Sequence, residues 1–131
     1  MRKTGVLGNS GNKYMVTTQY EIHDRIFNFV VRGLKVPRFI PKTIEAKIIT
    51  DQYVRALTSI GANDNEADGV SSKKDFIHCY TVVRKELKET KYWLRIIAEV
   101  YIVLKPRLQP LLQESEELIK IVSTIIKNSI K

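Results

Sequence analysis

Residues 55–94, RALTSIGANDNEADGVSSKKDFIHCYTVVRKELKETKYWL, carry the clearest structural pattern in this chain of 131 residues. Small side chains fill the first part, residues 68–70 are Asp-Gly-Val, and apolar residues then recur at alternating spacings of four and three. Such spacing is typical of the buried seam of a helical bundle. We therefore predict a tightly packed helical hairpin, with Ser71 or Ser72 as the N-cap of its second helix and Asp75 in the first turn of that helix.

Apolar periodicity predicts one further helix on each side of this pair. Helix one is predicted to begin at Thr18, where Thr18 and Glu21 fit a capping box, and to end before Pro37. Its predicted buried face comprises Ile22, Ile26, Phe27, Val30 and Leu34. The other predicted limits are Thr43 for the start of helix two, Pro106 for the end of helix three, and Arg107 and Asn128 for helix four.

The four predicted helices fit one domain, because the chain is too short for two domains of ordinary size. Residues 1–16 have no repeating apolar pattern, and we expect a flexible N-terminal arm or a loosely docked strand there. Residues 17–131 are predicted to form an all-α, up-and-down antiparallel four-helix bundle.

Gly61 lies inside predicted helix two, where glycine costs about 1 kcal/mol relative to alanine. We attribute this glycine to the close approach of a neighbouring helix, to whose backbone Asn63 is expected to hydrogen-bond. A phosphate-binding loop is the alternative, but that motif needs a Lys-Ser or Lys-Thr pair after its glycines. Packing is therefore the preferred interpretation.

Helix four carries more apolar residues than a single buried stripe requires. They are Leu108, Leu111, Leu112, Leu118, Ile119, Ile121, Val122, Ile125, Ile126 and Ile130. A second buried face is therefore expected, and we predict an oligomer interface. Its predicted residues are Leu118, Ile121, Val122, Ile125 and Ile126. A thicker core within one subunit is the alternative.

The sequence contains a single cysteine, Cys79, so no intrachain disulfide is possible and a cytoplasmic protein is expected. The N-terminus lacks the apolar run of a secretory signal. The longest apolar run, residues 96–104, contains Glu99 and is too short to cross a membrane. We therefore expect neither a signal peptide nor a membrane span.

No catalytic residue, metal site or cofactor is predicted. A two-metal carboxylate bundle needs two Glu-x-x-His motifs, and this chain has only His23 and His78. Cys79 follows His78 directly, so the two side chains diverge by about 100° on a helix and do not form a nucleophile and base. Glu86 and Glu89 are expected to pair with basic residues rather than to act as acid and base.

The strongest functional pattern is a row of cations on predicted helix three, which we call the basic stripe. The stripe consists of Arg84, Lys88, Lys91 and Arg95, with Lys85 and Tyr92 beside it. Spacings of four, three and four place the four cations on one side of the helix, where they match successive phosphates, while an aromatic ring offers a stacking surface. The alternative is a solvated helix face that Glu86, Glu89 and Glu99 partly neutralise.

The motifs described above resemble a bacterial family of four-helix bundles encoded by intervening sequences of 23S ribosomal RNA genes, and its relative, the accessory protein of diversity-generating retroelements. The resemblance rests on SIGAN at 59–63, Glu66-Ala67, KDFIH at 74–78, Lys85-Glu86, Glu89 and YWL at 92–94. It implies a homopentameric ring, and for the accessory proteins it implies binding to nucleic acid and to a reverse transcriptase. Cys79 stands where lysine is usual, and Asp64-Asn65 stand where an aromatic and a basic residue are common. Both departures remove positive charge.

Two functional hypotheses follow. In the first, the protein is a non-enzymatic homo-oligomer that binds RNA or DNA as an accessory factor, with a reverse transcriptase as a partner or with ribosomal RNA carrying an inserted segment as a target. Its net charge of +8 favours a polyanionic partner. In the second, it is a protein-interaction scaffold with no direct nucleic-acid contact. The nucleic-acid-binding residues of the first hypothesis are Arg84, Lys85, Lys88, Lys91, Tyr92 and Arg95.

Overall fold

The computed structural model describes the backbone of residues 13–130 and the side chains of residues 21–130. Its four helices are α1 (Lys13–Gly33), α2 (Ile44–Gly69), α3 (Lys73–Val100) and α4 (Lys105–Ile130), and short 3-10 turns occur at Val36–Phe39 and Ile102–Leu104. No strand occurs within residues 13–130. Each helix packs against its neighbours in sequence, and α1 also packs against α4. The all-α prediction is confirmed.

The predicted starts of the second and third helices are confirmed by their caps. Thr43 precedes α2, and its side-chain oxygen accepts a hydrogen bond from the Ala46 N–H at 3.2 Å. Ser72 precedes α3 and accepts from the Asp75 N–H at 3.1 Å. Each cap satisfies a helix N–H that has no partner within its own helix.

Two other predicted limits are wrong. Lys13 is already helical, so Thr18 lies inside α1 and does not cap it. The predicted arm falls mainly on residues 1–12, outside the described part of the chain, and stays a prediction. The third helix ends at Val100 rather than at Pro106, which lies in the first turn of α4. Proline is tolerated in a first turn because no intrahelical bond requires its missing N–H.

The buried face of α1 differs from the prediction at two residues, because Phe27 is exposed and Leu34, also exposed, lies beyond the end of the helix. Phe29 is 1% exposed and Phe27 is 68% exposed. Residues 22, 26, 29 and 33 recur at the helical period and are buried, whereas position 27 lies about 100° away from position 26. The buried face of α1 therefore includes Phe29 in place of the predicted Phe27.

Two glycines set the contact between α1 and α2. A Cβ atom placed on Gly33 would lie 2.7 Å from a methyl carbon of Leu57 and 2.8 Å from the Tyr53 hydroxyl oxygen. That hydroxyl donates to the Gly33 carbonyl at 2.8 Å. A Cβ atom on Gly61 would be 3.4 Å from Val30, an ordinary contact distance. The predicted approach of a helix at Gly61 is present, but the tighter crossing is at Gly33.

Most of the apolar surface of α4 is buried inside the subunit. Leu118, Val122 and Ile126 are buried in the core, so their assignment to an oligomer interface is wrong. Ile121 and Ile125 are half-buried and pack on that core. Fewer of these apolar residues therefore lie near the surface of α4 than the periodicity predicted, because α1 and α3 cover α4 from both sides.

Among the described residues, no helix is long and apolar enough to cross a membrane.

Candidate nucleic-acid interface

Helix α3 presents three different sides. Its seam, which includes Tyr80, Val83 and Leu87, is buried in the core. One flank carries acidic residues and faces α2, and the other flank carries the basic stripe and faces α4. This division follows from the helical period, since residues three and four apart share a flank.

The acidic flank is neutralised by α2. The guanidinium group of Arg55 donates to the Glu89 carboxylate and lies 3.4 Å from the carboxylate of Glu86, which is buried. The hydrogen bond from Arg55, followed by one from the Trp93 indole N–H, holds the pKa of Glu89 below its ordinary value. The expected pairing of Glu86 and Glu89 with a basic residue is confirmed.

The carboxylates that were expected to neutralise the stripe are therefore engaged elsewhere. Glu86 and Glu89 bind Arg55, and Glu99 is paired with Lys105 at 2.8 Å. Of these three acids, none forms an ion pair with a cation of the stripe within the described residues. The alternative of a self-neutralised helix face is wrong for these three carboxylates.

One stripe residue does have an acidic partner on α4. Lys91 Nζ lies 3.2 Å from a Glu116 carboxylate oxygen. Arg84, Lys88 and Arg95 form no ion pair with any described residue, and Lys88 and Arg95 are exposed. Lys91 and Arg95 line an open cleft between α3 and α4 whose opposite wall includes Gln109. The stripe therefore keeps three unpaired cations, of which Arg95 lines the cleft.

The two flanking residues extend this basic surface outward. Lys85 and Tyr92 are both exposed and lie two helical turns apart. The Tyr92 ring stands edge-on to Trp93, with ring centroids 5.0 Å apart. Because this contact fixes the ring while half of its surface stays exposed, Tyr92 offers a held aromatic surface beside the cations.

The structure also contains a polar junction of α1, α2 and α3 that was not predicted. His23 Nδ1 donates to the Asp64 carboxylate at 2.8 Å, and the Tyr80 hydroxyl donates to the same carboxylate at 2.7 Å. The hydrogen bond that His23 donates to Asp64 raises the pKa of His23, although burial opposes this effect. Asp64 follows Leu57 and Ile60 at heptad spacing, and a carboxylate at such a seam position is the signal that predicts a buried polar contact.

The structure also shows where the remaining residues of chemical interest lie. Cys79 is buried, and that burial, with the nearby Glu66 and Asp75, raises the pKa of its thiol. His78 is exposed. The side-chain amide of Asn63 donates to the Ser59 carbonyl of its own helix at 2.9 Å, so its expected bond to a neighbouring helix is wrong. Among the described residues, no group of three or more His, Cys, Asp or Glu side chains is placed to hold a metal ion.

Comparison with known proteins adds a family and a relative of known structure. The model of the 23S rRNA-intervening sequence protein family matches residues 18–124. The chain is also similar to a crystal structure of a protein of unknown function from the S23 ribosomal protein family of Bacteroides thetaiotaomicron, with 30% sequence identity and a TM-score of 0.74. That similarity covers 84% of this chain and 98% of the other. Among curated proteins, none matches the sequence.

Proposed function

The chain belongs to the 23S rRNA-intervening sequence protein family, and we propose that it is a non-enzymatic accessory protein that binds RNA or DNA through the basic stripe of α3. The proposal includes Lys85 and Tyr92 as flanking contacts. The family and its structurally characterised relative carry no assigned activity. The chemistry of the α3 surface is what supports nucleic-acid binding.

The observation that carries the proposal is that Lys91 is the one cation of the stripe with an acidic partner within the described residues. Arg84, Lys88 and Arg95 have no carboxylate partner among the described residues, while Glu86, Glu89 and Glu99 bind cations of other helices. Cations spaced along one side of a helix suit a phosphate backbone, which releases condensed counterions when a protein binds it. Tyr92 supplies the stacking surface that single-stranded nucleic acids use.

The first test compares two double variants by fluorescence anisotropy with a labelled single-stranded RNA. Lys88→Gln with Arg95→Gln is expected to weaken binding about tenfold, which is about 0.7 kcal/mol for each lost contact. The control, Lys42→Gln with Lys47→Gln, removes the same charge from exposed positions before and in α2. Equal weakening by both variants would mean that only net charge matters, and would reject a defined site.

The partners and the assembly are extensions of this proposal. We propose a cytoplasmic homo-oligomer, with a pentameric ring as the form that the resemblance to retroelement accessory proteins implies. A ring would repeat the basic stripe around one axis and multiply its phosphate contacts. A reverse transcriptase is the protein partner that the same resemblance implies, and co-purification with the reverse transcriptase of the same genome would test it.

The second candidate, a protein-interaction scaffold, is favoured by a separate surface feature. Apolar side chains are exposed where α2 begins and α3 ends, among them Ile44 at 82% and Val103 at 83%. Exposed apolar surface is a feature of protein-interaction sites. If RNA binding is absent and a Val103→Lys variant loses a partner protein that the wild type retains, the scaffold function replaces the first proposal.

A further inference from the structure

The end of the bundle where α1 stops and α4 starts contains an open cavity of about 210 Å³, which we call the end pocket. Its apolar floor includes Val36, Leu104 and Leu108. The 3-10 turn after α1 and the one before α4 supply the first two of these side chains. Three cations, Arg32, Lys35 and Arg107, line the same cavity and are exposed.

The three cations of the end pocket have no neutralising partner. None of them forms an ion pair with a described residue, and no described carboxylate lines the cavity. Glu99 and Glu114 are the nearest acids in sequence to the α4 side of the pocket. Glu99 is paired with Lys105, and Glu114 accepts a hydrogen bond of 2.6 Å from Arg25. The pocket therefore combines an apolar floor with an uncompensated positive rim.

An aromatic ring completes the lining and fixes one of the cations. The guanidinium carbon of Arg107 lies 4.2 Å from the centroid of the Phe39 ring. Stacking of this kind orients a guanidinium group while leaving its in-plane N–H donors available. Phe39 itself remains half exposed. A planar aromatic group that carries a negative charge matches these features.

The end pocket and the cleft beside the basic stripe lie on two sides of the same part of α4. Pro110 lines the pocket, whereas Gln109 lines the cleft together with Lys91 and Arg95. The two openings are thus separated by roughly the width of one helix, about 10–12 Å. A single strand lying along the stripe can cross the start of α4 and reach the pocket.

We propose that the end pocket accepts one nucleotide of a bound single strand, with the base against Phe39 and the apolar floor and the phosphate held by Arg32, Lys35 and Arg107. This inference rests on the proposed function, since the stripe holds the adjoining part of the strand. The cavity is smaller than the roughly 300 Å³ at which drug-sized pockets begin. It therefore suits one base rather than a larger ligand.

The test measures the pocket directly, by calorimetric titration with AMP, adenosine and inorganic phosphate. AMP is expected to bind more tightly than either of the other two, because only AMP fills both the apolar floor and the basic rim. Arg107→Gln and Arg32→Gln should each weaken AMP binding about fivefold, which corresponds to about 1 kcal/mol. Lys127→Gln, at the far end of α4, is the matched control and should change nothing.

The same titration separates this inference from the proposed function. Lys88→Gln with Arg95→Gln should leave AMP affinity unchanged while weakening RNA binding. If RNA binding does not respond to that variant but AMP binding still requires Arg107 and Arg32, the stripe proposal fails and the pocket stands. The pocket proposal is overturned if AMP does not bind at millimolar concentration, if phosphate binds equally well, or if AMP binding persists in both folded variants. Circular dichroism identifies any variant that has not folded. If one of the two arginine variants does not fold, AMP binding by the other variant decides the test.

Discussion

Single side chains at the crossing of α1 and α2 determine how closely these helices approach. Gly33→Ala is expected to lower the free energy of unfolding by about 1 to 3 kcal/mol, because the new methyl group would overlap Leu57 and the Tyr53 hydroxyl. Gly61→Ala is the control, since its methyl group meets Val30 at an ordinary distance. That variant should be neutral or more stable by up to about 1 kcal/mol, owing to helix propensity. Urea unfolding of both variants checks the comparison, and equal effects would contradict it.

A larger side chain at Gly61 tests the same contact from the other direction. Gly61→Leu should be destabilising by about 1 to 3 kcal/mol although leucine is a good helix former, because its branches would press against Val30 and separate the helices. If the leucine and alanine variants are both more stable than the wild type in urea unfolding, α1 does not pack closely on this part of α2.

The junction of His23, Asp64 and Tyr80 makes stability depend on pH. The folded-state pKa of His23 is raised, chiefly by its hydrogen bond with Asp64. The stabilisation from protonated His23 is therefore fully present below the ordinary histidine pKa of about 6.5, and is lost as pH rises through the raised value. Asp68 and Asp24 act in the same direction. In His23→Gln, the free energy of unfolding should lose its decline with rising pH above about 6.5, and an unchanged profile would show that His23 is not its source.

Ion pairs join neighbouring helices, and their contribution to the stability of the protein depends on how deeply they are buried. Glu86 is buried on α3, and Arg55 of α2 is its cationic partner. Arg55→Leu should destabilise the protein by about 1.5 to 3 kcal/mol, because a buried carboxylate loses its hydrogen-bond donor. Adding Glu86→Gln should recover part of that loss, since the neutral side chain is less costly to bury unpaired. Thermal unfolding of the single and double variants measures the coupling, and strictly additive effects would contradict it.

Helix positions were more predictable than helix faces. Thr43 and Ser72 were identifiable because a capping oxygen acts within three residues of itself. The end of α3 was not, because Pro106 fits both the end of one helix and the first turn of the next. Phe27 and Phe29 are both compatible with an amphipathic α1, and only packing against the other helices distinguishes them.

The candidate sites also differ in whether the sequence alone could predict them. The basic stripe was predictable because its residues lie on one helix at regular spacing. The end pocket was not, because Arg32, Lys35 and Arg107 come from separated parts of the sequence that only the bundle brings together. The contact between His23 and Asp64 could not be predicted for the same reason, since the two residues are 41 positions apart in the sequence.

The assembly of the complete protein is tested best at its exposed apolar end. We expect an oligomer, with apolar residues such as Val103 and Ile44 in its interface. Val103→Lys should dissociate it without reducing helical circular dichroism, because a lysine in an apolar contact is buried without a partner. Ile126→Lys is a useful contrast, since Ile126 is in the core and its change should unfold the subunit. Sedimentation equilibrium that finds the wild type to be a 15.1 kDa monomer at micromolar concentration would reject the oligomer.

Binding of nucleic acid by the basic stripe has a salt dependence that other modes of binding do not share. The measurement is the slope of log affinity against log salt concentration for a single-stranded RNA, with the wild type and with Lys88→Gln, Arg95→Gln. Each lost phosphate contact should make the slope shallower by about 0.7, so the double variant should differ from the wild type by roughly 1.4 for each subunit engaged. Both side chains are exposed, so unfolding free energies should change by no more than about 0.5 kcal/mol per site. Identical slopes for the two proteins would contradict phosphate binding by the stripe.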